Sequence, residues 1–406
     1  MTVTAHPGRN ASSRTARAIN DRLALRLLQE EGPLTAGQLK DLTGMSRPSV
    51  ADLVERLQAA GLVEVVGRSG AARRGPNARV YGIVADRAYV AGLDVRVESI
   101  AVEIADLLGR GLARAELPVT AGAEPARIVE DGITLLRETA LSAGAGRLHT
   151  VAFGAPGLVD PVTGRLSPLG GLPFWHSELV DEVGKRLGVP VLLENEVNLA
   201  AVAEQRAGAA AGGGGEDTFV LLWLGGGAGA AVVLEGRLRR GVSGGAGEVG
   251  FLPISDSGRL PSATACDNGY HGLVGSRAVC ALAARHGIEA GGPAAEESAE
   301  AAAAAVRGAF AAGAAGAAFL DELADRVALG VAAVTAVLDP GRVVLAGEVG
   351  QAGGEAFAAL VSARCARMSP LPTEVRATVV EGGAVLRGAV ITAMEAAQED
   401  LFTPVG

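Results

Sequence analysis

The sequence predicts an α/β protein built in two parts, a small winged helix-turn-helix at the N-terminus and a larger α/β body behind it. Three observations carry this. Three helical patterns with start and stop signals, followed by a two-strand pattern, fill residues 17–84. From residue 88 onward, short apolar strands alternate with amphipathic stretches, the pattern of an α/β domain. The charge divides at the same place: residues 1–82 hold 12 Arg/Lys against 7 Asp/Glu, and the rest holds 24 against 38. A basic head on an acidic body is the asymmetry of a nucleic-acid-binding domain joined to a sensor.

Residues 1–16 lack apolar periodicity and read as a flexible arm. Ile19, Leu23 and Leu27 then recur every four residues, with Leu25 and Leu28 widening the stripe, until Gly32-Pro33 stops the helix. Thr35 is placed to cap a second helix with Leu39 and Leu42 inward, and Gly44 is the turn residue. Ser46 caps a third helix with Pro48 in its first turn, where a missing N–H costs little. Val50, Leu53, Val54 and Leu57 form its buried stripe, and Gly61 closes it. Residues 62–66 and 79–84 are strands around a Gly/Arg-rich tip at 67–77. Three helices and a hairpin make a winged helix-turn-helix.

The third helix would enter the major groove N-terminal end first. Its outward residues are Arg47, Ser49, Asp52 and Arg56, with Ser46 and Thr35 at the helix starts completing the predicted DNA contacts. Arg47 has the fork geometry to read guanine or grip phosphate. Asp52 either accepts from cytosine or pairs with Arg56 at i+4. Arg68, Arg73, Arg74 and Arg79 surround the wing tip and suit phosphate or minor-groove contact. The expected partner is double-stranded DNA with a palindromic operator. Aromatic residues are 3% of the chain, too few for a platform that stacks single-stranded bases.

In the body, residues 89–95, 99–105, 148–153, 189–193, 219–224 and 343–345 read as strands. Residues 125–143, 176–187 and 321–338 read as helices, and 289–317 is an Ala/Gly-rich low-complexity stretch. Cys266, Cys280 and Cys365 are too few for a disulfide framework and suit a reducing cytoplasm. The N-terminus has no apolar signal core. The longest apolar stretch, 219–234, is broken by glycines and reads as two strands around a turn, so no membrane span is expected.

Several motifs occur in a fixed order. The head carries Gly32-Pro33-Leu34-Thr35, Leu42-Thr43-Gly44-Met45-Ser46 and Ala60-Gly61-Leu62-Val63. The body carries Gly154-Ala155-Pro156-Gly157-Leu158-Val159-Asp160, then Glu194-Asn195-Glu196-Val197-Asn198-Leu199-Ala200-Ala201, Gly236-Arg237-Leu238 and Gly247-Glu248-Val249-Gly250. In this combination the chain resembles regulators of the ROK family (repressor, open reading frame, kinase) over residues 17–400. The resemblance implies an actin-like, ribonuclease-H-like two-lobed body at 88–406 that binds a sugar in its cleft. It also implies a homodimer or dimer of dimers.

The chain departs from the family's kinases at each chemical element. Their first phosphate loop has the form Asp-x-Gly-Gly-Thr, whose glycines let backbone N–H groups approach phosphate. Here it reads Asp94-Val95-Arg96-Val97-Glu98, and Glu98 puts a negative charge where phosphates would sit. A second turn, Leu224-Gly225-Gly226-Gly227-Ala228-Gly229, keeps its glycines but reads as a tight strand-to-strand turn. The family's catalytic Asp is replaced by Glu196, one methylene longer and displaced for proton abstraction. The family's zinc site requires a His and three Cys; Phe251 replaces the His and only Cys266 remains of the three. His271 fits no ligand position and reads as a surface or packing residue. The expectation is no catalysis, no cofactor and no metal. Phe251 and Gly275 also replace a His and a Glu that touch sugar in related proteins, whereas Gly171, Asn195, Glu196 and Glu248 remain as candidate ligand contacts.

The leading reading is a DNA-binding transcriptional regulator of the repressor type that answers to a sugar or sugar-phosphate effector. Two alternatives stay open: an active ATP-dependent sugar kinase with an appended head, and a ligand-independent DNA-binding protein whose body only dimerises.

Overall fold

In the computed structural model of the protein, the described residues are 13–69, 78–120, 122–167, 174–210, 217–254, 259–262, 265–289 and 298–402. Helix α1 (Ser13–Glu30) begins inside the segment read as an arm, so helix extends back over residues 13–16; residues 1–12 lie outside the described residues. Its buried face is Ala24, Leu25 and Leu28, while Ile19 and Leu23 are exposed. A strict spacing of four advances about 40° per step around a helix of 3.6 residues per turn, so the predicted stripe winds off the core.

Leu34–Thr35 forms β1, followed by α2 (Ala36–Thr43) and α3 (Arg47–Ala59). Leu39 is buried but Leu42, expected beside it, is exposed. Val50, Leu53, Val54 and Leu57 of α3 are all buried, as their spacing predicts. β2 (Val63–Ser69) and β3 (Ala78–Ile83) form the wing, and β1 completes an antiparallel sheet in the order β1-β3-β2.

The first lobe contains β4 (Tyr89–Val95), β5 (Ser99–Asp106), β6 (Gly111–Pro118), α4 (Pro125–Ser142), β7 (Leu148–Ala155), α5 (Trp175–Leu187) and β8 (Val191–Asn195). Its sheet order is β6-β5-β4-β7-β8, with the β4–β7 and β7–β8 pairs parallel and the others antiparallel. After α6 (Glu196–Ala210), the second lobe begins with β9 (Phe219–Leu224), β10 (Ala228–Leu234) and β11 (Arg237–Arg239). It continues through α7 (His271–Val274), α8 (Ser276–Arg285), α9 (Ala299–Ala309), α10 (Gly313–Leu338), β12 (Arg342–Ala346), α11 (Gly347–Met368) and β13 (Glu374–Ala377). The second sheet, β11-β10-β9-β12-β13, repeats the first in order and strand direction. This repeated plan is the two-lobed ribonuclease-H-like architecture that the resemblance implies. The described part of the Ala/Gly-rich stretch forms α9 and the start of α10, where small side chains such as Ala302 and Ala305 are buried.

The last helix, α12 (Ala384–Leu401), returns to the first lobe and packs on β4 and α6. Glycine makes both contacts close. A Cβ at Gly388 would overlap the Leu199 carbonyl, and one at Gly92 would stand 2.7 Å from the Val390 nitrogen. At its far end α12 meets the head, where Arg22 pairs with Glu399. Gln398 Nε2 donates to the Leu107 carbonyl at 2.7 Å, and the Leu107 amide donates to Ala85 at 2.9 Å. One apolar cluster runs from Leu25 and Leu53 in the head through Val90 and Leu107 to Leu199 and Val390. Among the described residues no helix is long and apolar enough to cross a membrane.

Candidate nucleic-acid interface and ligand cleft

The start of α3 is built as its sequence predicts. Ser46 lies in extended backbone and its hydroxyl accepts from the Ser49 amide at 3.3 Å. The Ser46 and Ser49 hydroxyls also bond each other at 2.8 Å, so Ser49 is engaged locally. Arg47, in the first turn, is exposed and makes no ion pair among the described residues. Thr35 caps α2 reciprocally: its hydroxyl accepts from the Gln38 amide at 3.2 Å, and its own amide donates to Gln38 Oε1 at 2.9 Å. The Thr-x-x-Gln spacing was the available signal for Gln38.

Asp52 pairs with Arg56, one of the two roles open to it. Arg56 also reaches Asp21 of α1 at 2.6 Å. The Asp21 hydrogen bond leads the effects that hold the guanidinium above its ordinary range. Arg56 therefore ties α3 to α1. On the wing, Arg68 and Arg79 sit directly opposite each other on β2 and β3, both exposed. Arg73 and Arg74 lie outside the described residues.

The cleft between the lobes encloses about 960 Å³. At its floor β4 ends and the chain turns back through a hairpin in which the Arg96 amide donates to the Ser99 carbonyl at 2.9 Å. Arg96 Nε donates to Asp94 at 3.0 Å, and its NH1 donates to Glu348 at 2.9 Å. Glu348 lies in the first turn of α11, on the other lobe. The glycine turn between β9 and β10 is the strand-to-strand turn expected, with the Gly225 amide donating to Gly227 at 3.0 Å. It does something more: a Cβ at Gly225 would strike the Glu348 carboxylate. Sequence reasoning missed Glu348 because nothing local connects it to Arg96.

Asn195 is fully engaged in the scaffold. Its Oδ1 accepts from the Val197 and Asn198 amides at 2.8 and 3.2 Å, capping α6, and its Nδ2 donates to the Gly157 carbonyl at 3.0 Å. The same Nδ2 donates to Glu196 at 2.8 Å. Glu196 lines the cleft, and desolvation raises its carboxyl to about 8, with Asp94 and Glu248 adding to the rise. Burial also pushes Asp94 up, against the pull of Arg96. Glu248 opens into the cleft and is raised by desolvation. Two buried oxygens, Asp94 Oδ1 and Asn198 Oδ1, have no hydrogen-bond partner among the described residues.

Phe251 lines the cleft wall. A side chain at Gly275 would press on the His271 and Gly226 carbonyls, so the backbone itself disfavours a larger residue here. Gly171 lies outside the described residues. Burial raises the Cys266 thiol, which disfavours thiolate, and His271 Nε2 is 4.0 Å from Asp267. Among the described residues no three His, Cys, Asp or Glu side chains converge on a metal position.

The family model described as "ROK family" matches residues 90–396. This chain belongs to the ROK family. A MarR family model matches residues 18–75, the winged head that precedes the ROK body. A putative xylose repressor of Caldicellulosiruptor sp. (strain Rt8B.4) is 22% identical, over 58% of this chain and 59% of that protein. The xylose repressor of Bacillus subtilis (strain 168) is 25% identical, over 59% and 62%. The chain thus spans about three fifths of the length of the repressors it matches. A glucokinase of Halalkalibacterium halodurans is 27% identical over 66% of this chain and 83% of its own. Among solved structures, a ROK family transcriptional regulator, a homologue of the E. coli MLC protein, superposes with a TM-score of 0.73 at 18% identity. That match covers 95% of this chain and 98% of the other, and it shows a shared fold of head and body. A ROK family glucokinase from Streptomyces griseus, in complex with glucose and AMPPNP, gives 0.60 at 25% identity, over 76% and 99%.

Proposed function

We propose that this ROK protein is a DNA-binding transcriptional regulator of the repressor type, with a body that senses a sugar-like ligand and performs no phosphoryl transfer. The observation that carries the DNA reading is the head's basic face: exposed Arg47 at a capped helix start, and Arg68 opposite Arg79 on the wing. Like charges placed opposite each other on a hairpin repel. A phosphate backbone relieves that repulsion. Arg47, Arg68 and Arg79, with Arg73 and Arg74, are the candidate DNA contacts. Ser46, Ser49, Thr35, Asp52 and Arg56 hold the helices that present them. We take 17–84 as the DNA-binding unit and 88–406 as the effector and dimerisation unit, working in the cytoplasm, with the head's first helix beginning at Ser13. Two heads on a homodimer would span a palindromic operator.

The kinase reading is disfavoured by the segment Asp94-Val95-Arg96-Val97-Glu98, which lacks the Gly-Gly-Thr of the family's first phosphate loop and whose Arg96 is held by Glu348. Selection of genomic fragments on the purified protein tests the proposal. A palindromic site bound with strong salt dependence is expected. Absence of any sequence preference would sink the DNA reading, and ATP-dependent phosphorylation of a hexose or pentose would overturn the non-enzymatic one.

A further inference from the structure

The head joins the body with little slack. β3 ends at Ile83 and β4 begins at Tyr89, and the link between them is bonded to both units. The Val84 amide donates to the Leu62 carbonyl of the head at 3.0 Å, and the Ala85 carbonyl accepts from the Leu107 amide of the body at 2.9 Å. Leu25 and Leu28 of α1, with Ile83, Ala88 and Phe402, share one buried cluster with Leu107.

Apolar contact is non-directional and lets two surfaces slide. A buried hydrogen bond fixes their register. Gln398, 5% exposed near the end of α12, donates through Nε2 to the Leu107 carbonyl at 2.7 Å. Leu107 thus holds the link by its amide and α12 by its carbonyl. The turn that follows it is itself fixed: buried Asp106 accepts through Oδ1 from the Leu108 and Arg110 amides at 2.9 and 3.0 Å. A Cβ at Gly109 would stand 2.8 Å from the Met394 sulfur, so α12 lies tight against this turn. The next residue of α12, Glu399, pairs with Arg22 of α1. One turn earlier, Glu395 accepts from Arg206 of α6 at 2.7 Å. The end of α12 therefore grips the head's first helix, the β5–β6 turn and α6 together.

We infer that Gln398 is a positioning residue that fixes the head on the body, and that the protein consequently reads the spacing between two operator half-sites as well as the half-sites themselves. Two heads on flexible tethers reach half-sites over a range of separations. Two heads locked to one dimeric body meet DNA at one separation and one phase. Each base pair inserted between the half-sites moves the second by about 3.4 Å and turns it by about 35° around the duplex. The bonded link has no spare length to follow that turn. The inference rests on the reading of the protein as a dimeric regulator of a palindromic operator.

Gel-shift titration of the full chain tests it, on the selected operator, on a single half-site, and on operators with one, two, three and five base pairs inserted at the centre. The unaltered protein is expected to lose about tenfold in affinity at two inserted base pairs and to fall to half-site affinity at five, about half a helical turn. Gln398→Met keeps the bulk and removes the donor. It should level the series to within about threefold and leave half-site affinity unchanged, whereas a merely structural role would weaken every DNA alike. If that variant fails to fold, a short Gly/Ser insertion between Asp86 and Arg87 should level the series in the same way. A flat series in the unaltered protein, or a spacing profile that the folded variant leaves unchanged, overturns the inference and leaves the DNA reading standing. No preference for the operator over scrambled DNA overturns both.

Discussion

Arg96 and Glu348 stand 252 positions apart in the chain and 2.9 Å apart across the cleft. The pair joins the hairpin after β4 in one lobe to the first turn of α11 in the other. The Arg96 side chain is 44% exposed, so the pair adds under about 1 kcal/mol to stability. Its effect falls on lobe geometry. Arg96→Gln and Glu348→Gln should each shift Tm by less than about 3 °C. Each should raise the radius of gyration of the ligand-free protein in solution scattering, and the double variant should add nothing further. An unchanged scattering profile in both would show that the bridge does not hold the lobes.

Glu196 gives a pH signature. Its carboxyl is raised from 4.5 to about 8, so the folded chain holds that proton more tightly than the unfolded chain. The stabilisation is fully present below 4.5 and is lost as pH rises through about 8. Asp94 and Glu248 are pushed the same way. The Tm of the unaltered protein, measured against Glu196→Gln, should therefore fall between those limits and level off above them. Parallel Tm curves for the two proteins would show that Glu196 ionises normally.

The packing of α12 rests on glycine. A Cβ at Gly388 would meet the Leu199 backbone, which cannot rotate away as a side chain can. Gly388→Ala should cost about 1–3 kcal/mol or more in denaturant unfolding. Gly308 supplies the control, because it lies in α9 and a Cβ added there would meet nothing within 4 Å. Gly308→Ala should stabilise by about 0.5–1 kcal/mol. Equal effects at both positions would remove the close-contact argument.

At the wing, stability and DNA binding should move in opposite directions. Arg68→Gln relieves repulsion with Arg79 and should stabilise the head by about 0.2–1 kcal/mol. The same change should weaken DNA binding across all sequences and reduce the salt slope by about 1. Loss of stability together with unchanged DNA affinity would place Arg68 outside the interface.

Removal of the α3 cap tests how the reading helix is held. Ser46→Ala should cost about 1 kcal/mol of stability. Arg47→Ala should leave stability unchanged and relax sequence preference, at about 1–3 kcal/mol for the affected base. If Arg47→Ala weakens all sequences equally, Arg47 contacts phosphate instead.

The sequence by itself determined what depends on near neighbours. Ser46 and Thr35 cap their helices, Val50, Leu53, Val54 and Leu57 are buried, and the β4 and β9 runs become strands with the predicted bounds. Caps and apolar periods act within a turn or two of chain, so they are legible without the fold. Edge strands such as β6 were not legible, because its half-exposed alternation of small and charged residues has no apolar run. Tertiary structure alone decided which face of α1 is buried, that Asp21 draws Arg56 into the head's scaffold, and that the Asn195 amide reaches the Gly157 carbonyl. It alone placed Glu348 against Arg96 and left a buried Asp94 oxygen with no donor among the described residues. Ion pairs and buried acceptors depend on which distant segments meet, and that is set by the packing of whole sheets and helices.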